Sequence, residues 1–146
     1  MRSEATFQGR LAAFAEVRGW AEAFGTAVGA DRGAVLRLVL VLEELFTNTV
    51  THGYAGRDEG PIWVTLASQD GSIEVTYEDA GPAFDPFAPR PSVPTDLQGS
   101  TGEVGGLGLA LVQGLAVRPR YARVDGRNQI TLAVPSEDPP APAAPR

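Results

Sequence analysis

Three short segments hold most of the side chains in this sequence that could do chemistry. The first is Glu43-Glu44-Leu45-Phe46-Thr47-Asn48, running on to His52. The second is Asp79-Ala80-Gly81-Pro82-Ala83-Phe84-Asp85-Pro86, and the third is Gly105-Gly106-Leu107-Gly108-Leu109. Glu44 and Asn48 stand four apart, so on a helix they project from one side, with Thr51 and His52 a turn further on. An Asn amide offers an oxygen to a hard cation such as Mg²⁺, which keeps several waters and takes its other ligands from phosphates. A carboxylate beside it could orient or deprotonate an attacking hydroxyl or water. The same residues would equally suit a plain polar flank of a helix.

Asp79 follows a predicted strand and precedes Gly81. An acceptor-only side chain there can take the exocyclic amine of adenine and would oppose guanine, which carries a carbonyl at that position. Asp and Gly are also ordinary turn residues. The glycines at 105, 106 and 108 open a predicted helix, where free backbone N–H groups and the positive dipole end suit a phosphate. They could simply end a loop. Each segment alone is a weak signal, and their order within one domain gives them weight.

The elements that must position these residues are readable from periodicity. Residues 4–8 suit a short edge strand. From Leu11 to about Val28, Leu11, Phe14, Ala15, Val17, Ala21, Phe24 and Val28 recur at helical spacing, with Trp20 and Phe24 on one face. Gly29 can close that helix, and Asp31 can cap the next. The second helix is expected from about Arg32 to His52, with Val35, Leu38, Leu42, Leu45 and Thr49 as its inward stripe. Two strands, 61–68 and 72–78, flank a turn at Gln69-Asp70-Gly71. From Pro82 to Val104 periodicity is absent, and so long a segment reads as a lid or as disorder. A helix is expected over Gly105–Ala116, then a hairpin of 119–125 and 129–134 around Asp125-Gly126-Arg127-Asn128. The Pro/Ala-rich tail, 135–146, has nothing to bury and is expected to be disordered.

Composition narrows the function classes. The chain has 146 residues, a length that suits one domain, here expected over 1–134. It contains no cysteine, which excludes disulfides and thiolate chemistry. All twelve basic residues are Arg, so neither a P-loop lysine nor a lysine Schiff base is possible. A net charge of −6 argues against nonspecific nucleic-acid binding, so no direct nucleic-acid partner is expected. No apolar run is long enough to span a bilayer and no signal-peptide core is evident, so a cytoplasmic protein without membrane contact is expected.

Taken together, the three segments resemble the nucleotide-binding boxes of the Bergerat-type ATPases, the superfamily of gyrase, Hsp90, histidine kinases and MutL. Within it the chain most resembles the small bacterial anti-sigma factor serine/threonine kinases. Asn48-Thr49-Val50-Thr51-His52 matches their Asn-x-x-x-His box, Glu44 the preceding acid, and Phe84-Asp85-Pro86 the tail of their first glycine box. The likeness spans roughly residues 4 to 134. It implies an α/β two-layer sandwich with a mixed, mostly antiparallel sheet and helices on one face. It further implies ATP and Mg²⁺ as cofactors. Asn48 would hold the metal, and Glu44 would be the general base toward a partner's Ser or Thr. Asp79 would meet adenine with Gly81 and Phe84 alongside. His52 would make a helix-end contact near the phosphates, against which Gly105, Gly106, Leu107 and Gly108 would lie, and residues 86–104 would form the lid. Gln129-Ile130 stand where the family often has Gly-Thr, so Thr131 receives no adenine contact.

The resemblance implies as partners a STAS-domain anti-sigma-factor antagonist, a sigma factor and a second copy of the chain in a homodimer, with the Phe7, Phe14 and Trp20 region serving either core or interface. Two other readings stand beside this one. One is a partner-binding module that holds ATP without transferring phosphate. The other is a free-standing histidine-kinase-like catalytic domain, since His52 is the only histidine and a complete histidine kinase needs a separate phosphoacceptor histidine on a dimerisation helix pair.

Overall fold

The computed structural model describes residues 1–55, 59–88 and 112–137. Its strands are β1 (Arg2–Gln8), β2 (Pro61–Gln69), β3 (Ser72–Asp79), β4 (Val117–Val124) and β5 (Arg127–Pro135). Its helices are α1 (Phe14–Ala27), entered through a 3₁₀ turn at Leu11–Ala13, and α2 (Arg32–Asn48), which passes into a π-turn at Thr49–Gly53. The strands lie in the order β1-β2-β3-β5-β4, with every pairing antiparallel. The antiparallel character expected from the sequence therefore holds throughout, and no parallel pair occurs among the described strands.

Two tight hairpins set the register. Asp70 and Gly71 have φ of 50° and 76°, and Asp125 and Gly126 have 50° and 79°. Positive φ at both central residues is the requirement of a type I′ turn, whose twist matches that of the flanking strands. Those turns are tighter than the sequence suggested, so β5 begins at Arg127 and Asn128 is a strand residue. Strand alternation then sends one face inward: Ile62, Val64 and Leu66 from β2, Ile73, Val75 and Tyr77 from β3, and Ile130, Leu132 and Val134 from β5, all buried. The helices supply the opposing layer through Val17, Ala21, Phe24, Leu38, Leu42, Leu45 and Phe46.

The aromatic residues near the N-terminus belong to this core. Phe7 meets Trp20 edge-on at 5.5 Å, and Phe14 meets Phe46 in the same way at 5.5 Å. The Trp20 indole N–H donates to Ser3 Oγ at 3.0 Å, which ties α1 to β1. Asp31 caps α2 by accepting from the Ala34 N–H at 2.9 Å, and Gly29 closes α1 with φ of 76°.

At its far end the sheet is bounded by β4, where Pro119 cannot donate to a ladder and Arg118 has φ of 52° at a register shift. An interrupted outer strand of this kind resists further pairing. At the C-terminal end, β5 runs through Pro135. Ser136 then donates to Gly71 O at 2.8 Å and accepts from the Asp31 N–H at 3.0 Å. The expected tail beyond residue 137 and residues 105–111 of the expected helix over 105–116 lie outside the described residues; residues 112–115 of that helix are described and are helical. Among the described residues, no helix is long and apolar enough to cross a membrane.

Candidate functional site

The π-turn at the end of α2 shapes one side of the site. Its signature is the bond from the Tyr54 N–H to Thr49 O at 2.7 Å, one residue wider than an α-helical bond. The local sequence favours such a break. Thr51 donates its hydroxyl to Thr47 O at 2.7 Å, Thr49 Oγ1 lies 3.1 Å from Leu45 O, and the β-branched residues 49–51 are followed two positions on by Gly53.

Beyond it, Tyr54 is a clamp. Its hydroxyl donates to Pro61 O at 2.5 Å and accepts from the Ala80 N–H at 2.9 Å, joining the helix exit to the start of β2 and the end of β3. Gly9 and Gly60 make room for its ring, because a Cβ at either would fall 2.5–2.6 Å from ring atoms. Burial raises the Tyr54 phenol above its usual range, and the nearby Asp79 charge adds to this.

Against the π-turn lies the end of the sheet. In register, Ile62, Asp79 and Asn128 are direct neighbours across β2, β3 and β5 on the inward face. The apolar layer thus ends in a buried polar pair. Asp79 is 7% exposed. Its Oδ1 accepts from the Gly81 N–H at 3.0 Å and from Asn128 Nδ2 at 2.9 Å, and its Oδ2 accepts from Thr49 Oγ1 at 2.8 Å. Thr49 Oγ1 also lies 2.7 Å from the Tyr77 hydroxyl. Full burial raises the Tyr77 phenol well above the ordinary tyrosine range. Tyr77 therefore remains a neutral donor in a hydroxyl chain that ends on the Asp79 carboxylate.

Between the helix end and the sheet end opens a cavity of about 460 Å³. Its lining includes Leu45, Asn48, Thr49 and His52 from the helix side, Asp79, Asn128 and Ile130 from the sheet, and Pro82, Ala83, Phe84 and Pro86 from the following loop. The volume suits a small organic ligand, and the walls are mostly apolar with a few convergent polar groups. Four residues singled out from the sequence, Asn48, His52, Asp79 and Phe84, meet here.

Gly81 is buried beside them but does not line the cavity. A Cβ there would come within 3.3 Å of Asp79 Oδ1 and of Gly53, so the glycine lets the loop close on the helix exit. Glu44 is half-buried on α2 and does not line the cavity. It makes no ion pair or hydrogen bond with any described residue, whereas neighbouring Glu43 faces Arg18 at 3.9 Å. Gly105, Gly106, Leu107 and Gly108 lie outside the described residues.

Two participants escape a reading of the sequence. Thr49 reads as part of the apolar stripe, yet its hydroxyl is the buried link to Asp79. Asn128 reads as a turn residue. Its signal was strand parity: counting back from Ile130, Leu132 and Val134 puts residue 128 on the inward face.

A sheet of five antiparallel strands with helices on one face and a cavity at the junction of helix end and sheet end defines an α/β sandwich of the Bergerat ATPase type. A family model described as a histidine kinase-like ATPase domain matches residues 7–134, and the chain belongs to that family. Among curated proteins, it is 32% identical over 85 residues to a serine-protein kinase RsbW of Listeria monocytogenes, covering 56% of this chain and 54% of that protein. It is 31% identical over 85 residues to the protein of the same name from Listeria innocua, with the same coverage. The chain thus spans about half the length of the curated relatives it matches. Among solved structures, the RsbU and RsbW domains of Rv1364c from Mycobacterium tuberculosis match with a TM-score of 0.66 at 23% identity. That match covers 92% of this chain and 32% of the other, and supports the fold.

Proposed function

We propose that the protein is an ATP-binding anti-sigma regulatory factor and a serine/threonine protein kinase. It would act in the cytoplasm on a STAS-type anti-sigma-factor antagonist and sequester a sigma factor when that antagonist is phosphorylated. Residues 1–134 would be the ATPase domain. The observation that carries the nucleotide assignment is the bonding of Asp79. Oδ1 has both lone pairs engaged, whereas Oδ2 accepts only from Thr49 among the described residues. One acceptor site on a buried carboxylate that lines the cavity is what an adenine amino group requires.

Asn48, lining the same cavity, fits the amide oxygen that a phosphate-bound Mg²⁺ would take. Bound there, the ion would neutralise phosphate charge. His52 would contact the phosphate end, and Phe84 would form a wall beside the base. In the transfer step, the hydroxyl oxygen of the partner's serine or threonine attacks the γ-phosphorus. Glu44 takes the hydroxyl proton, and the bond to the ADP oxygen breaks. Glu44 fits that role as a carboxylate one helical turn before Asn48 with no described partner to neutralise it.

Incubation with γ-labelled ATP, Mg²⁺ and candidate antagonists tests the whole reading: acid-stable label on a partner serine or threonine is expected. Asp79→Asn should abolish nucleotide binding, and Glu44→Ala should abolish transfer while binding persists. Undiminished ATP binding by the Asp79→Asn protein would sink the pocket assignment. One observation favours a second reading, a module that binds its partner without transfer: Glu44 lies outside the cavity lining. A tight complex with an antagonist and no label would establish that reading.

A further inference from the structure

We infer that Asn128 is a positioning residue for base recognition: it turns Asp79 so that one carboxylate oxygen is closed and the other is presented to a purine amino group. This rests on the nucleotide pocket proposed above. Asn128 lines the cavity and is only 5% exposed, yet its amide is fully engaged. Nδ2 donates to Asp79 Oδ1 at 2.9 Å and to Pro82 O at 2.8 Å, with Gly81 O at 3.4 Å. Oδ1 accepts from the Phe84 N–H at 3.1 Å, from the Tyr121 hydroxyl at 2.5 Å and from Arg123 Nη1 at 3.2 Å.

The partners on the two sides are chemically opposite. Turning the amide over would set its oxygen against a carboxylate and two carbonyls, and its NH₂ against three donors. The orientation is therefore fixed, and no hydrogen-bonding capacity remains for a ligand. Asn128 can act on a bound base only through what it holds.

It holds two things. The first is Asp79, whose terminal torsion is intrinsically broad and needs outside bonds to be set. With Nδ2 and the Gly81 N–H both on Oδ1, Oδ2 is left toward Thr49 and the ligand. The second is the loop 81–84, gripped through Pro82 O and the Phe84 N–H, so the wall carrying Phe84 is fixed by the same amide. Arg123, donating to both Gly81 O (2.8 Å) and Asn128 Oδ1, braces this arrangement from the exposed side. A base with an amino group at the Asp79 edge gains a bond from the arrangement. Guanine would place a carbonyl against a carboxylate that cannot turn away. The rigidity conferred by Asn128 is thus what makes Asp79 selective as well as attractive.

The test is calorimetric titration of MgADP and MgGDP into the full chain and its variants, with circular dichroism confirming the fold. The unmodified protein should prefer MgADP. In Asn128→Ala that preference should fall about tenfold, the equivalent of one well-made hydrogen bond, mainly through weaker ADP binding. Asn128→Asp should lower it further, because a second carboxylate then faces Asp79. If Asn128→Ala does not fold, Tyr121→Phe combined with Arg123→Ala takes its place. That protein keeps Asn128 but removes two of its braces, and the preference should fall about threefold.

Equal weakening of both nucleotides, or an unchanged ratio in the folded variant, would overturn the positioning role. Loss of MgADP binding in Asp79→Asn together with an undiminished preference in Asn128→Ala would overturn this inference alone and leave the pocket standing. If the unmodified protein binds neither nucleotide, the pocket assignment fails and this inference fails with it.

Discussion

Replacing Thr49 by Val keeps the shape of the side chain and removes one buried hydroxyl, so it isolates the polar link beneath the cavity. Thr49 is 2% exposed, and its oxygen has three neighbours: Asp79 Oδ2 at 2.8 Å, the Tyr77 hydroxyl at 2.7 Å and Leu45 O at 3.1 Å. Its one hydrogen goes to the carboxylate, the strongest acceptor of the three. In the valine variant Tyr77 keeps a partner, because its hydroxyl also reaches Leu45 O at 3.1 Å. Asp79 Oδ2 loses its protein donor. Hydrogen bonds to a charged group contribute about 1.5–3 kcal/mol, and water entering the cavity would replace part of that, so the loss should be near 2 kcal/mol.

For a domain of this size that corresponds to a fall of about 5 °C in Tm. Thr49→Ser is the informative control. It keeps the hydroxyl and deletes one methyl group, which costs about 1 kcal/mol. Thermal denaturation at neutral pH should therefore order the proteins as wild type, Ser, Val. Burial alone predicts the reverse order for the two variants, since Val is the more apolar. A valine protein that melts at or above the serine protein would refute the argument that this hydroxyl is held by Asp79.

Two further predictions concern the tyrosines. Tyr54 and Tyr77 both have raised phenol pKa values, so the folded state favours their neutral forms. The resulting stability is fully present below the unfolded-state pKa of about 10. It is lost above that at about 1.4 kcal/mol per pH unit for each tyrosine until the folded-state pKa is reached. With no lysine in the chain, denaturant melts between pH 9 and 11 should show this loss clearly, and Tyr77→Phe should roughly halve its slope. Gly60→Ala should destabilise the protein by about 1–3 kcal/mol, because the added methyl meets the Tyr54 ring and the Tyr54 hydroxyl is anchored on both sides. A Gly60→Ala protein with wild-type stability in urea would show that the ring is not held in place.

Much of this molecule follows from local pattern. The stripe along α2, the Asp31 cap and the alternating faces of β2 and β3 are decided by residues close in sequence, and they lie where periodicity puts them. What was illegible depends on partners far along the chain. Thr49 cannot be told from an apolar stripe residue until Asp79, thirty residues on, is known to face it. Asn128 is a local exception: strand parity points it inward, but the Asp-Gly-Arg-Asn run reads as a four-residue turn where the chain uses the two residues Asp125-Gly126. The π-turn was hidden for a related reason: five residues of α-helix and five of π-helix have the same composition, and only the Tyr54 N–H pairing distinguishes them.

The two tryptophans sit on opposite sides of the sheet and give the protein separate optical reporters. Trp20 is wedged against Phe7 in the helical layer, its indole N–H bonded to Ser3. Trp63 lies on the open face under the Arg127 guanidinium, 3.4 Å from its ring centre, in contact with the strand that carries Asn128. Neither lines the cavity. Intrinsic fluorescence should consequently be nearly blind to direct quenching by a ligand, yet it can follow each layer of the sandwich independently. With Trp20→Phe and Trp63→Phe, one emission signal becomes two, and their coincidence or divergence during unfolding reveals whether the helices and the outer face of the sheet are lost together.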